Sequence, residues 1–323
     1  MLNANDLQLG SVKLKKFLCC LLSLILVLSA AGCARTEREQ PRLRLVASFY
    51  PMYIMLMNIT DGIDGVEISS MAGQQTGCLH DFQMQTSDMK KVELADAFIV
   101  NGAGMESFLD KVVSELPALT VIDASEGISL LVAGDEEEEE HSAEDGHDHD
   151  HGEFNPHLWV SITNCIQQVD TIAKGLMKLD PEAAPQYRAN ADAYILKLSA
   201  LRERMHAALD QAPNKEIITF HEAFPYFAKE FGLQVVAVIN REPDSEPNAR
   251  ELAETIRLVR DTGVKALFVE PQYPKTAADI VSNETNASVY VLDPAVSGEE
   301  EKDAYLDAME RNLQVLEQAL GGE

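Results

Sequence analysis

The chain has eight histidines, and five of them fall within residues 135–159, "DEEEEEHSAEDGHDHDHGEFNPHLW", together with eleven acids. Imidazole and carboxylate are the usual protein ligands of zinc, so metal binding is the first chemistry to consider. Four residues stand out by position more than by local density. His221 directly follows the strand-like "EIITF", and Asp293 follows "SVYVL". His80 lies in the loop "AGQQTGCLHDF" after "VEISSM", and His157 sits in "NPHLW" at a helix start. In open α/β sheets, ligands collect beyond the carboxyl ends of strands. Three imidazoles and a carboxylate satisfy a tetrahedral zinc site with bonds of about 2.0–2.2 Å. Each residue taken singly also has a plainer role, as a hydrogen-bonded loop histidine or as a turn cap at Asp293.

The acidic stretch divides in two. Residues 135–153 are low in complexity and too poor in apolar side chains to support a packed core, so a loop is expected. In an extended conformation His147, His149 and His151 share one side. With His141 they form a candidate accessory zinc site, or else a solvated acidic insertion. His157 lies beyond this run. Three further residues flank the candidate ligands: Cys78, two positions before His80, and Glu222 and Glu270 beside strand ends. The glutamates are candidates to hydrogen-bond a ligand imidazole. His206, on a helix face, is expected to have no ligand role.

The elements that must position these groups alternate. Strand-like "LRLVASF" precedes a helix beginning "PMYIMLMNI", with proline in its first turn. "VEISSM", "DAFIVNG" and "LTVID" read as further strands, and "TSDMKKVEL" and "MESFLDKVVSEL" have helical apolar spacing. After the acidic loop comes the helix "SITNCIQQVDTIAKGLMKL". A long helix then spans about residues 181–212, with Asp180 as its N-cap, interrupted only by Pro185. "EIITF", "QVVAVI", "VKALFV" and "SVYVL" continue as strands between helices. Strands alternating with helices imply mainly parallel sheets covered on both faces. The expected architecture is therefore α/β, with lobes at 43–180 and 213–323 joined by the long helix and a metal site in the cleft between them.

The first residues have the order of a secretory signal: Lys13, Lys15 and Lys16, an apolar run, then "LSAAGC". Residues 1–32 are expected to be removed, leaving Cys33 as a lipidated first residue on a polar tether to residue 42. A formal net charge of −27 argues against nucleic-acid partners. Cys78 and Cys165 are the cysteines left after the signal and Cys33, too few for a disulfide framework; one bridge between them is open.

"VASFYPMY", "HDFQMQTSDM", "NGAGMESFLDKV", "NPHLWV", "TFHEAFPYFAKEFGL" and "LFVEPQ" together resemble, in order, the signatures of the zinc/manganese-binding lipoproteins of ABC importers, the ZnuA-like solute-binding family (cluster A-I). The resemblance covers about residues 44–320. It implies two (β/α) lobes, a rigid connecting helix and a metal held by His80, His157, His221 and Asp293. Manganese receptors of the family tend to carry glutamate at the position of His221, and imidazole suits zinc better than manganese. The resemblance therefore implies a monomeric, extracytoplasmic bacterial lipoprotein that captures Zn²⁺ and passes it to a membrane permease. Since the family's sites do not normally use cysteine, Cys78 is expected not to be a ligand, although it competes with Asp293 for the fourth place. The alternatives are a manganese receptor, a secreted zinc hydrolase with Glu222 or Glu270 as base, and a surface adhesin. The chain lacks a His-Glu-x-x-His helix, which weighs against the hydrolase. Limited hinge motion is expected from the long helix, and weaker metal binding as pH falls and protons compete for the imidazoles.

Overall fold

The computed structural model describes residues 41–73, 78–79, 82–133, 153–239, 248–272 and 276–321. Arg42 to Glu323 form one compact unit. Cys33, His80, His141, His147, His149 and His151 lie outside the described residues.

Two four-stranded sheets carry the unit, and all of their pairings are parallel. In the first, β1 (Leu43–Ala47), β2 (Val66–Ser70), β3 (Ala97–Val100) and β4 (Thr120–Asp123) lie in the order β2-β1-β3-β4. In the second, β5 (Glu216–Thr219), β6 (Gln234–Val238), β7 (Ala266–Val269) and β8 (Ser288–Val291) repeat it as β6-β5-β7-β8. Helices α1 (Tyr50–Ile59), α2 (Thr86–Glu93) and α3 (Leu109–Glu115) connect the first sheet. Helices α6 (Pro225–Phe231), α7 (Ala249–Thr262) and α8 (Thr276–Thr285) connect the second, and α9 (Ala304–Leu320) closes the unit. The expected α/β architecture of two sheets is what the chain forms. In each sheet the winding reverses between its two central strands, β1/β3 and β5/β7, which opens a crevice at their carboxyl ends.

Between the sheets run α4 (Ile162–Leu179) and α5 (Ala184–Leu209). Helix α5 buries Tyr187, Ala191, Tyr194, Leu198, Leu201, Met205 and Leu209, spaced by three or four residues along one stripe. Its start differs from the expectation. Asp180 ends α4, and α5 begins at Ala184. A start at Pro181 would have placed Pro185 beyond the first turn, where the missing N–H and the ring disrupt the helix. Beginning at Ala184 puts Pro185 where no intrahelical N–H is needed. The Asp180 carboxylate instead pairs with Arg42 and accepts from the Tyr187 hydroxyl at 3.0 Å.

A single apolar core passes from the first sheet through α4 and α5 onto one face of the second sheet. Ile217, Ala266 and Phe268 belong to it, whereas their neighbours Ile218, Leu267 and Val269 face a separate cluster under α7 and α8. The period of two along β5 and β7 makes this division. Trp159, in the 3-10 turn Leu158–Val160, sits at the junction and is fully buried. Its indole N–H donates to Pro294 O at 2.7 Å, its ring meets Phe49 edge-on at 5.1 Å, and its carbonyl accepts from Tyr305 Oη at 2.7 Å. The segment before α4 is thus tied to both sheets. Trp159→Phe should leave the Pro294 carbonyl buried without this donor and open a small void. We expect a loss of about 2–4 kcal/mol, measured by urea unfolding followed by circular dichroism.

Candidate metal centre

His221 stands two residues beyond β5 and Glu270 one residue beyond β7, so the two central strands of the second sheet present them side by side. His221 Nδ1 lies 2.8 Å from Glu270 Oε1, and Glu270 is 2% exposed. The other Glu270 oxygen accepts from Gln272 Nε2. An acceptor-only carboxylate on Nδ1 places the imidazole proton there, so that Nε2 carries the lone pair.

His157 reaches the same place from the first sheet's side. It is buried, and Asn155 Oδ1 accepts from its backbone N–H at 3.0 Å and lies 3.2 Å from its Nδ1. The same tautomer follows. Asn155 is itself held across the gap, donating through Nδ2 to Glu222 O at 2.9 Å, while its own carbonyl accepts from Tyr226 Oη at 2.9 Å. Glu222 thus contributes to the site through its backbone carbonyl.

The crevice of the first sheet supports His157 from behind. Asn101, directly after β3, donates through Nδ2 to Pro156 O at 2.8 Å, and its Oδ1 accepts from Gln168 Nε2 at 2.9 Å. The buried Glu106 carboxylate accepts from Ser48 Oγ at 2.7 Å and from the N–H groups of Asn101 and Gly102 at 2.8 and 3.1 Å. Burial pushes Glu106 up to about 7, against the pull of those three donors.

Cys78, in the loop after β2, completes a cluster. Its Sγ and one ring nitrogen each of His157 and His221 all lie within 4.8 Å of one another. The two imidazole rings meet edge-on, with centroids 4.9 Å apart. Sulfur and nitrogen ligands around one tetrahedral zinc are separated by about 3.3–3.6 Å, a short contraction from this arrangement. One thiolate and two neutral imidazoles are a donor set that zinc accepts.

Residues 45–319 match the family described as zinc-uptake complex component A, periplasmic (ZnuA). The chain belongs to this family. It is 32% identical over 310 residues to the zinc-binding lipoprotein AdcA of Streptococcus pneumoniae, an alignment covering 94% of this chain and 61% of AdcA. The chain thus spans about three fifths of that relative's length. The high-affinity zinc uptake system protein ZnuA of Bacillus subtilis is 30% identical over 305 residues, covering 91% of this chain and 94% of ZnuA. Among solved structures, Zn(II)-bound AdcA superposes with a TM-score of 0.75 at 29% identity, over 87% of this chain and 58% of AdcA. The solute-binding protein FpvC of Pseudomonas aeruginosa with Ni²⁺ gives 0.74 at 30% identity, over 87% and 99% of the two chains.

Of the four ligands that membership in the ZnuA family implies, His157 and His221 come together, and His80 lies outside the described residues. Asp293 is not in the three-residue cluster. Its Oδ1 accepts from Ala295 N–H at 2.8 Å, its Oδ2 lies 3.5 Å from Arg311 Nη2, and its backbone N–H donates to Asn312. Its neighbour Pro294 carries the Trp159 contact. Cys78, expected to stand aside, is the residue placed with the imidazoles. No disulfide joins Cys78 and Cys165, and Cys165 is fully buried on α4, where burial pushes it up to about 12. His206 faces Asp210 at 3.0 Å and packs on Phe231, away from the cluster. Sequence reasoning passed over Asn155 and Asn101. Asn155 stood inside "NPHLW" and Asn101 inside "NGAGME", but nothing local told that their amides face a histidine and its supporting carbonyl.

Two outcomes follow. Glu270→Ala should weaken zinc binding roughly 10–100-fold by releasing the His221 ring, whereas Glu270→Gln, which keeps an acceptor, should retain most of the affinity; chelator competition reads both. For Glu106, the folded protein holds a proton that the unfolded chain gives up near pH 4.5. Its contribution to stability is therefore complete below that pH and is lost as pH rises through about 7. The difference in unfolding free energy between wild type and Glu106→Gln should fall by about 3 kcal/mol across that window, measured by urea unfolding at stepped pH.

Proposed function

We propose that this protein is the receptor of an ABC-type importer, capturing Zn²⁺ outside the cytoplasm and handing it to a membrane permease. The observation that carries this is the convergence of His157 and His221 from the two sheets, each with its Nδ1 held by a hydrogen-bond acceptor. Such a pair is preorganised for a metal that accepts imidazole. The names of AdcA and ZnuA, both tied to zinc, support the choice of ion. His80 and Asp293 are taken as further ligands by family membership, with the acidic loop's His141, His147, His149 and His151 as weak accessory sites. The lobes are taken as 43–180 and 213–323, with 181–212 between them.

The protein is taken to bind and deliver its ion without turning over a substrate, since a ring of protein ligands leaves no open position for a reactive water. Lipidation at Cys33 would hold it at the outer face of a bacterial membrane, as a monomer close to its permease. Two histidines at the core of the site favour zinc over manganese, which prefers oxygen ligands.

Native mass spectrometry of the purified protein should show one tightly held zinc that disappears in His221→Ala. In a competition titration, His221→Glu should shift selectivity from zinc toward manganese. An unchanged zinc preference in that variant would contradict this account of selectivity.

A further inference from the structure

We infer that Cys78 is a direct metal ligand, its thiolate supplying the anionic position for which family membership points to Asp293. The inference rests on the zinc-receptor proposal and departs from the ligand set carried over with it. Three observations support it. Cys78 Sγ is one of the three donor atoms that lie within 4.8 Å of one another, together with the two histidines that span the sheets. Leu79, the next residue, is fully buried in the core and anchors the segment that presents Cys78. Asp293, by contrast, has one carboxylate oxygen accepting from the Ala295 N–H and the other facing Arg311, in an arrangement that serves as a turn cap after β8.

The exchange of ligand is electrically neutral. A thiolate and a carboxylate each bring one negative charge to a divalent ion alongside neutral imidazoles. When the metal–sulfur bond forms, the S–H proton leaves to solvent. What changes is softness. Thiolate selects zinc, and softer ions such as cadmium, against manganese, more strongly than any oxygen ligand does. Cys78 would then be a second determinant of selectivity beside His221, and it would make metal capture sensitive to oxidation of its sulfur. Cys165 cannot substitute, because it is fully buried in the core on α4.

Cobalt(II) added alone reports the ligand type directly, because a bound thiolate gives an intense near-ultraviolet charge-transfer band that imidazole and carboxylate do not. The purified protein titrated with Co²⁺ should show this band together with visible d–d absorption. Cys78→Ser should lose the charge-transfer band completely while still binding cobalt through its imidazoles. Its zinc affinity should fall at least about tenfold, since losing a ligand costs no less than losing an outer hydrogen-bond partner, and by a larger factor than its manganese affinity. A wild-type cobalt complex with d–d bands but no charge-transfer band would overturn the assignment of Cys78 and leave the receptor proposal standing. So would a charge-transfer band that persists in Cys78→Ser. Failure of the wild type to take up either cobalt or zinc would instead overturn the receptor proposal itself. Because a wild-type spectrum without the band already overturns the assignment, the test holds even if the variant folds poorly.

Discussion

A neutral imidazole has one nitrogen to give to the protein and one to give to a metal, and that division governs the whole centre. At His221 the Nδ1 side faces the buried Glu270 carboxylate, and at His157 it faces the Asn155 amide oxygen. Neither partner is adjustable. Glu270 stands directly after β7, beside the strand that presents His221, and Asn155 is clamped by the Glu222 carbonyl and the Tyr226 hydroxyl. Ring orientation is therefore inherited from strand pairing on one side and from a cross-sheet hydrogen-bond chain on the other. Each ring is held on its Nδ1 side, so little side-chain entropy remains to be lost if a metal binds between them.

The repeated strand order explains why two separate halves can build one site. Each sheet has its crevice at the carboxyl ends of two central strands, and each crevice holds a buried glutamate. In the second sheet Glu270 orients the His221 imidazole directly. In the first, Glu106 gathers the N–H groups that follow β3 and so fixes Asn101, whose amide reaches Pro156 next to His157. These are two solutions to one problem, and they differ in chemistry. A carboxylate facing an imidazole has a counter-charge available when the ring is protonated or metallated. Glu106 has only neutral donors, so burial wins and its proton is held to a higher pH.

Much of this was legible in the sequence. The alternation of strands and helices, the ends of most elements, and the placement of His221 and His157 follow from period, caps and strand-end position. What stayed hidden depended on groups distant in sequence. Pro185 was visible as a disturbance, but only the pairing of Asp180 with Arg42 and Tyr187 shows why the helix starts late. Glu270 was recognised as a possible partner of a ligand without any sign of which one, because β5 and β7 are adjacent only in the folded sheet. The family pattern supplies a complete ligand set without Cys78. A loop's path between β2 and α2 leaves no periodic trace, so the sequence could not report that this thiol turns toward the imidazoles.

The same core that positions the two imidazoles limits how far the two sheets can move apart. One apolar cluster runs from β1 and β3 through α4 and α5 to Phe268 on the second sheet, with Trp159 hydrogen-bonded to the loop after β8 and packed on Phe49. Swinging the sheets apart would expose this shared core to water, and its cost grows with every apolar side chain uncovered. The candidate ligands differ in how they are held. His221 stands on a strand end braced by Glu270, and His157 on a segment braced by Asn155 and Asn101. Cys78 belongs to the connection between β2 and α2, outside both braces. The two imidazoles are therefore the fixed half of the site, since moving either one means breaking its brace or uncovering the shared core.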